Sequence, residues 1–445
     1  MPFLSIPDPS LDLTLSGLQR DYTRGTRTPL TVWQDCLQRI VAHDGRWRSF
    51  LHVAHGSAKE QAQASTRRWA AGQPLSALDG IPVALKDNID VVGMPCTAGT
   101  EVWRERMPQA DATLVRQLRA AGAVLVGKLN MDACALGGHT DNPHHGRCDN
   151  PRMPGHSVGG SSGGAAAALA AGFCALAFGT DTLGSVRIPA AYVGLAGFKP
   201  THGALDATGV VPLSPMLDAV GPLAHHVADL RHAWQVLGAS PAATPSNKPP
   251  RLGVLLPHDA VLAPAVAHAW QAGCAALGAS TPLVTSPPTW ASQWQAGALR
   301  RRALLVAEAD GLAYWRAQLG PNLAGLAPAT QAMLCYPEHA GALRVQQARE
   351  LLATLRAGSA VLWQHADVWL LPTLGHTAPL ASADMPADQA DWCALANVLG
   401  CPALALPAIG PEGPISLQAL AAPGRDHDLL QWGEALAAQW SAAAG

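Results

Sequence analysis

The stretch GGSSGGAAAALAAGFCALAFGTDTLGSVRIPAAYVGLAGFKPT, residues 159–201, carries the densest pattern in the chain. It opens on a Gly/Ser loop, Gly159 to Gly164, and reaches a second loop that bears Ser185. Between them, Ala165 to Gly172 is a good helix former ended by glycine. Phe173 to Phe178 is an apolar run that reads as a buried strand. The order is loop, helix, strand, loop. It brings both serine-bearing loops to one side of a sheet if the strand returns antiparallel to the helix. Glycines flanking serines allow backbone conformations that side chains forbid, and they leave N–H groups able to face an anion. The N–H groups of Thr182, Leu183, Gly184 and Ser185 are therefore oxyanion-hole candidates. A short helix predicted over Ile188 to Val193 adds its N-terminal end, which favours negative charge.

A serine nucleophile needs a base, and the choice is between histidine and lysine. Of 17 histidines, none belongs to a G-x-S-x-G elbow. Lys86 directly follows GIPVAL (80–85), a strand candidate, and precedes Asp87 and Asn88. Burial there disfavours the ammonium ion and lowers its pKa, so that a neutral lysine could accept a proton. Taken alone, these residues leave other readings open. A Gly/Ser loop also serves as a flexible segment or a phosphate cradle, and a buried lysine as a salt-bridge partner. The phosphate reading lacks its G-x-x-x-x-G-K-[ST] string.

Outward from this core, helical and strand patterns alternate. Helices are predicted within the first 55 residues, including Thr31 to Val41, and over Ser57 to Ala71 and Ala110 to Ala121. Strands are predicted over Ala123 to Gly127, Arg251 to Leu256, Val368 to Pro372 and Ala403 to Pro407. The alternation predicts an α/β class. Thr244 to Pro250 reads as a linker-like break, and 231–365 as a variable, mainly helical region that contributes to a substrate pocket.

Composition bounds the function. The chain has 445 residues, 49% hydrophobic and 14% charged, which predicts a sizeable core and excludes wholesale disorder. Thirty Lys plus Arg against 32 Asp plus Glu leave no basic field for nucleic acid. Nine scattered cysteines without a CxxC pair predict reduced thiols, hence a cytoplasmic protein, and no cysteine-rich metal site. Met1 to Leu30 lacks a signal-peptide pattern. The longest apolar stretch, Ala165 to Phe178, is too short to span a membrane. The pairs His144-His145 and His225-His226 lack helical metal-ligand spacing, so no metal is expected.

The 159–201 string resembles the amidase signature, that of a serine hydrolase family with a Ser-cis-Ser-Lys triad. The resemblance extends to LDGIPVALKDNIDVVGMPCTAGT (78–100), GKLNMDACALGGHTDNPHHGRCDNP (127–151), LDAVGPLAHHVADL (217–230), ADVWLLPT (366–373) and NVLGCPALALPA (397–408). It implies one large α/β domain, 1–445, with a twisted mixed central sheet covered by helices on both faces. Residues 1–55 would form an N-terminal helical segment. It also implies Ser185 as nucleophile, Ser161 with the cis peptide bond, and Lys86 as base. Thr182, Leu183 and Gly184 would hold the oxyanion, while Ser162, Asp181 and Arg187 would be structural, the last two buried and paired. The implied reaction is hydrolysis of a small carboxamide to a carboxylate plus ammonia or an amine, with no cofactor. A homodimer is one assembly consistent with the resemblance.

Alternatives within the family are a urea-type hydrolase and the glutaminase component of a tRNA-dependent amidotransferase. The first needs an arginine for a substrate carboxylate; Arg300, Arg301, Arg302 and Arg344 are candidates. His144 and His145 are candidate substrate contacts, because their segment borders the site in the family. The chain departs from the family at Leu183, where a glycine is usual. If that position needs positive φ, leucine is strained; otherwise it adds an apolar wall to the acyl site.

Overall fold

The apolar run at Pro82–Lys86 forms strand β2, buried at every position. Strands buried on both faces read as continuous apolar runs, whereas half-exposed ones alternate. A computed structural model describes residues 12–238, 248–256, 260–285 and 294–444. Strands β1 (Phe50–Val53), β3 (Val124–Leu129), β6 (Leu176–Asp181), β7 (Ala196–Lys199), β8 (Ala219–Ala224), β9 (Leu252–Val254), β10 (Leu283–Val284), β11 (Val368–Pro372), β12 (Ala403–Gly410) and β13 (Gly413–Ala421) join β2 in one sheet. Its order is β1-β3-β2-β6-β8-β7-β12-β13-β11-β9-β10. A separate two-stranded ribbon pairs β4 (Asp141–Asn142) with β5 (Gly146–Arg147).

The sheet is mixed. Strands β3, β2 and β6 run parallel, as do β11, β9 and β10, and the centre from β6 to β11 is antiparallel. Helices cover both faces, which the alternation along each strand makes plain. Val83 and Leu85 belong to one apolar cluster and Ala84 to another. Leu370 points with the first cluster and Leu371 with a third, which the helices of the 296–362 stretch complete. The first cluster takes in helices Leu15–Arg24, Pro29–Trp47, Val227–Leu237 and Asp426–Ala444.

Several boundaries differ from the sequence reading. The N-terminal segment is helical over Leu15–Arg24 and Pro29–Trp47, then turns into β1, an edge strand. Residues 1–11 lie outside the described residues, as do 244–247 of the linker-like stretch. Region 231–365 is mainly helical but also supplies β9 and β10. The strand expected over Phe173 to Phe178 starts at Leu176 and continues to Asp181. Its pairing with β2 and β8 extends it into the polar Thr-Asp end, where apolar content alone stops the prediction. No helix among the described residues is long and apolar enough to cross a membrane.

Candidate active site

Lys86 is the last residue of β2 and Asp181 the last of β6, and these two strands are parallel neighbours. Their C-terminal ends therefore deliver both side chains to one edge of the sheet. The Gly/Ser loop leads into helix Gly163–Ala170, and β6 returns beside it. Ser162 fastens the two serine loops together. Its N–H donates to the Ser185 carbonyl at 3.2 Å, and its hydroxyl to the Thr180 carbonyl at 3.3 Å.

Lys86 Nζ donates to Ser161 Oγ at 2.7 Å and to Thr180 Oγ1 at 3.0 Å. Burial pushes its pKa down to about 7, and the carboxylates of Asp132, Asp218 and Asp181 offset only part of that. Burial also raises Asp132 and Asp218 to about 6. The site thus concentrates titratable groups moved toward neutrality, as functional clefts do. The Gly160–Ser161 peptide bond is cis. A Cβ on Gly160 would come within 2.2 Å of Asp132 Oδ2 and 2.8 Å of the Gly138 carbonyl carbon, so only glycine fits.

Ser185 opens onto a cavity of about 120 Å³, bordered by Gly160, Thr182, Leu183, Ile188, Leu213, Arg300, Glu308 and Met333, among others. Among the described residues no hydrogen bond joins the Ser185 and Ser161 hydroxyls; the bond that Ser161 Oγ makes is to Lys86. Catalytic hydrogen bonds of unliganded enzymes are often long and tighten on substrate binding.

Asp181 and Arg187 are fully buried and paired at 2.8 Å. Burial works against the Asp181 carboxylate, but the Arg187 guanidinium holds its carboxyl well below the usual range. Arg187 also donates to Gln418 Oε1 at 2.9 Å and to Asn397 Oδ1 at 2.7 Å. Asp181 accepts the Val186 N–H at 3.2 Å and the Gly184 N–H at 2.8 Å.

The last bond corrects the sequence reading: the Gly184 N–H is engaged by a carboxylate and does not face an incoming oxygen. The N–H groups of Thr182, Leu183 and Ser185 make no hydrogen bond with another described residue. Leu183 is not among the described residues with positive φ, so the strain considered for it is absent. Gly184 takes that conformation instead, with φ 118°. His144 and His145 sit in the turn between β4 and β5, where their N–H groups donate to Asn142 Oδ1, and neither borders the Ser185 cavity. Their segment passes near the site, but its polar anchor is Asn142, which turns the chain away.

A model of the Amidase family matches residues 31–265. The chain belongs to the amidase signature family. The Chloroflexus aurantiacus protein named as the A chain component of glutamyl-tRNA(Gln) amidotransferase is 44% identical over 218 residues, 49% of this chain and 45% of its own length. The chain therefore spans about half the length of the curated relatives it matches. Solved structures align over more. One described as an amidase is 28% identical with a TM-score of 0.87, covering 96% of this chain and 99% of the other. The peptide amidase of Stenotrophomonas maltophilia is 26% identical with a TM-score of 0.81, covering 98% of each chain.

Some residues of this family member's site were not anticipated. Thr180 shares the Lys86 ammonium with Ser161, and Asn88 Nδ2 donates to the same threonine oxygen at 3.2 Å. Thr182 Oγ1 donates to Asp218 Oδ1 at 2.6 Å. Asp132 accepts the Thr140 N–H at 3.1 Å. Asp132 and Asp218 stand inside motif segments, so a search for acidic residues there could have found them. Glu308 carries no such signal, because nothing in its surroundings repeats or punctuates. Of the candidate arginines, Arg300 reaches the Ser185 cavity, with Nε donating to Asp391 Oδ1 at 2.7 Å. Arg301, Arg302 and Arg344 line a neighbouring cavity of about 520 Å³.

Proposed function

We propose that this protein hydrolyses a small carboxamide through an acyl-enzyme on Ser185. The observation that carries the reading is the 2.7 Å hydrogen bond between Lys86 Nζ and Ser161 Oγ in a fully buried setting beside the Ser185 loop. A lysine lowered to about 7 is substantially neutral near physiological pH and can act as a base.

In the first half-reaction, Ser185 Oγ attacks the amide carbon. Its proton passes to Ser161 Oγ, and the Ser161 proton passes to neutral Lys86 Nζ. The carbonyl oxygen becomes an oxyanion that accepts from the N–H groups of Thr182, Leu183 and Ser185. Collapse of this intermediate breaks the C–N bond, and the Ser161–Lys86 pair returns the proton to the leaving nitrogen. Water then attacks the Ser185 ester by the same relay, and the carboxylate leaves. Each oxyanion donor in such a site contributes about 3–4 kcal/mol to the rate. Leu183 and Ile188 form apolar wall beside the reacting carbon.

A panel of primary amides, glutamine and allophanate tests this by ammonia release. The expected outcome is release from at least one amide by the wild type and loss of about a thousandfold or more in Ser185→Ala. Release that persists unchanged in Ser185→Ala removes the reading.

A second reading has its own support: the similarity over 218 residues to the glutamyl-tRNA(Gln) amidotransferase component. On that reading the substrate is glutamine, and glutaminase activity rises when the other components of the amidotransferase are supplied. The whole-length structural match to amidases favours the independent hydrolase.

A further inference from the structure

Glu308 lies on helix Ala296–Leu319, among the residues that border the Ser185 cavity. Only 6% of it is exposed. It makes no hydrogen bond or ion pair with any described residue. Most other buried carboxylates in the molecule are engaged: Asp181 by Arg187, Asp87 by Lys128, Asp79 by Arg68 and Asp218 by Thr182. Burial without a partner pushes the Glu308 carboxyl up to about 7. Leaving a carboxyl desolvated and unpaired is costly, and such a group is retained where something else completes it.

The rest of the cavity narrows what that something is. Its walls near the nucleophile are largely apolar: Leu136, Leu183, Ile188, Leu213 and Met333. The other charged side chain present, Arg300, already engages Asp391 through Nε. Arg301, Arg302 and Arg344 line the adjoining cavity, which Glu308 also borders, and none of them bonds to Glu308. The remaining unmatched group at the pocket is thus an acceptor, and a group that matches it must donate hydrogen bonds. A cavity of about 120 Å³ admits only a short chain between the ester-forming carbon and that group.

We propose that Glu308 sets acyl specificity, and that the preferred acyl chain is short and ends in an amine held as ammonium against the Glu308 carboxylate. This rests on the amide-hydrolase reading and specifies its substrate class. The ammonium supplies the missing donor and the counter-charge together, which a hydroxyl or methyl terminus does not. Arg300, paired with Asp391, stays out of that contact.

The test compares a short ω-amino alkanamide with the alkanamide of equal chain length. The readout is the ratio of their kcat/KM values, or, if turnover is slow, of the concentrations that protect Ser185 from a fluorophosphonate. The wild type is expected to favour the amino compound by about ten- to a hundredfold. In Glu308→Gln that ratio falls about tenfold or more, and in Glu308→Leu it inverts. A wild-type ratio at or below one overturns the proposal whether or not the variants fold. So does a ratio that Glu308→Gln leaves unchanged. Hydrolysis dependent on Ser185 with a failed ratio removes the role of Glu308 alone. Absence of both turnover and Ser185 labelling removes the hydrolase reading, and this inference with it.

Discussion

At Leu183 and Gly184 two neighbouring residues divide one task. Leu183 keeps ordinary backbone angles and turns its side chain to the cavity, while Gly184 takes the left-handed turn at φ 118°. A Cβ on Gly184 would meet Cys393 Cβ at 2.6 Å and Ile188 Cδ1 at 2.8 Å. Gly184→Ala is therefore expected to lose about 1–3 kcal/mol of stability from backbone strain, before counting the clash. Urea unfolding measures it, and an unchanged midpoint would contradict the account of this turn. The resemblance and the residue types made Lys86, Ser161 and Ser185 legible in the sequence, because each lies in a long, specific string. The fate of the Gly184 N–H was not legible. It depends on which oxygen Asp181 presents after pairing with Arg187, a matter of three-dimensional contact.

The elements that carry the site are joined by one buried ion pair. Asp181 ends β6, Arg187 begins helix Arg187–Val193, Gln418 lies on β13, and Asn397 sits on helix Ala394–Leu399. Arg187 bonds to all three of the others, and Asn397 Nδ2 returns a bond to the Asp181 carbonyl at 2.8 Å. Removing the cation leaves a carboxylate with no counter-charge in a fully buried position. Arg187→Met is thus expected to lose about 3–5 kcal/mol, read from denaturant unfolding, a loss that isolated surface pairs do not produce. A loss under about 1 kcal/mol would show that hydrogen bonds alone suffice here. Local pattern anticipated many of these elements: strand Val368–Pro372 was read with its observed bounds, and Lys86 was placed at a strand end. The partners Gln418 and Asn397 were not anticipated, since they are far from Arg187 in sequence and the pairing is decided by sheet order.

Across the whole molecule, an 11-stranded mixed sheet carries the serine loops at the ends of its strands, and helices from the middle of the chain close the cavity over them. The α/β class and the two-sided helical cover follow from alternating patterns. The strand order does not, because it depends on contacts between segments that no local periodicity encodes. The helix that brings Glu308 and Arg300 to the cavity comes from the part of the chain with the weakest motif content, and so with the least legible role.

The central claim joins Ser185, Ser161 and Lys86 into one relay, and a single measurement addresses it. The rate of fluorophosphonate labelling is followed as a function of pH, and the adduct is located by peptide mapping. Protonated lysine cannot accept a proton, so below about 7 the rate should fall about tenfold per pH unit and above it should level off. The adduct should lie on Ser185, and Lys86→Met should abolish the inflection and slow labelling by about a hundredfold or more. An adduct on another residue, or a rate on Ser185 that does not change across the neutral range, would contradict the relay.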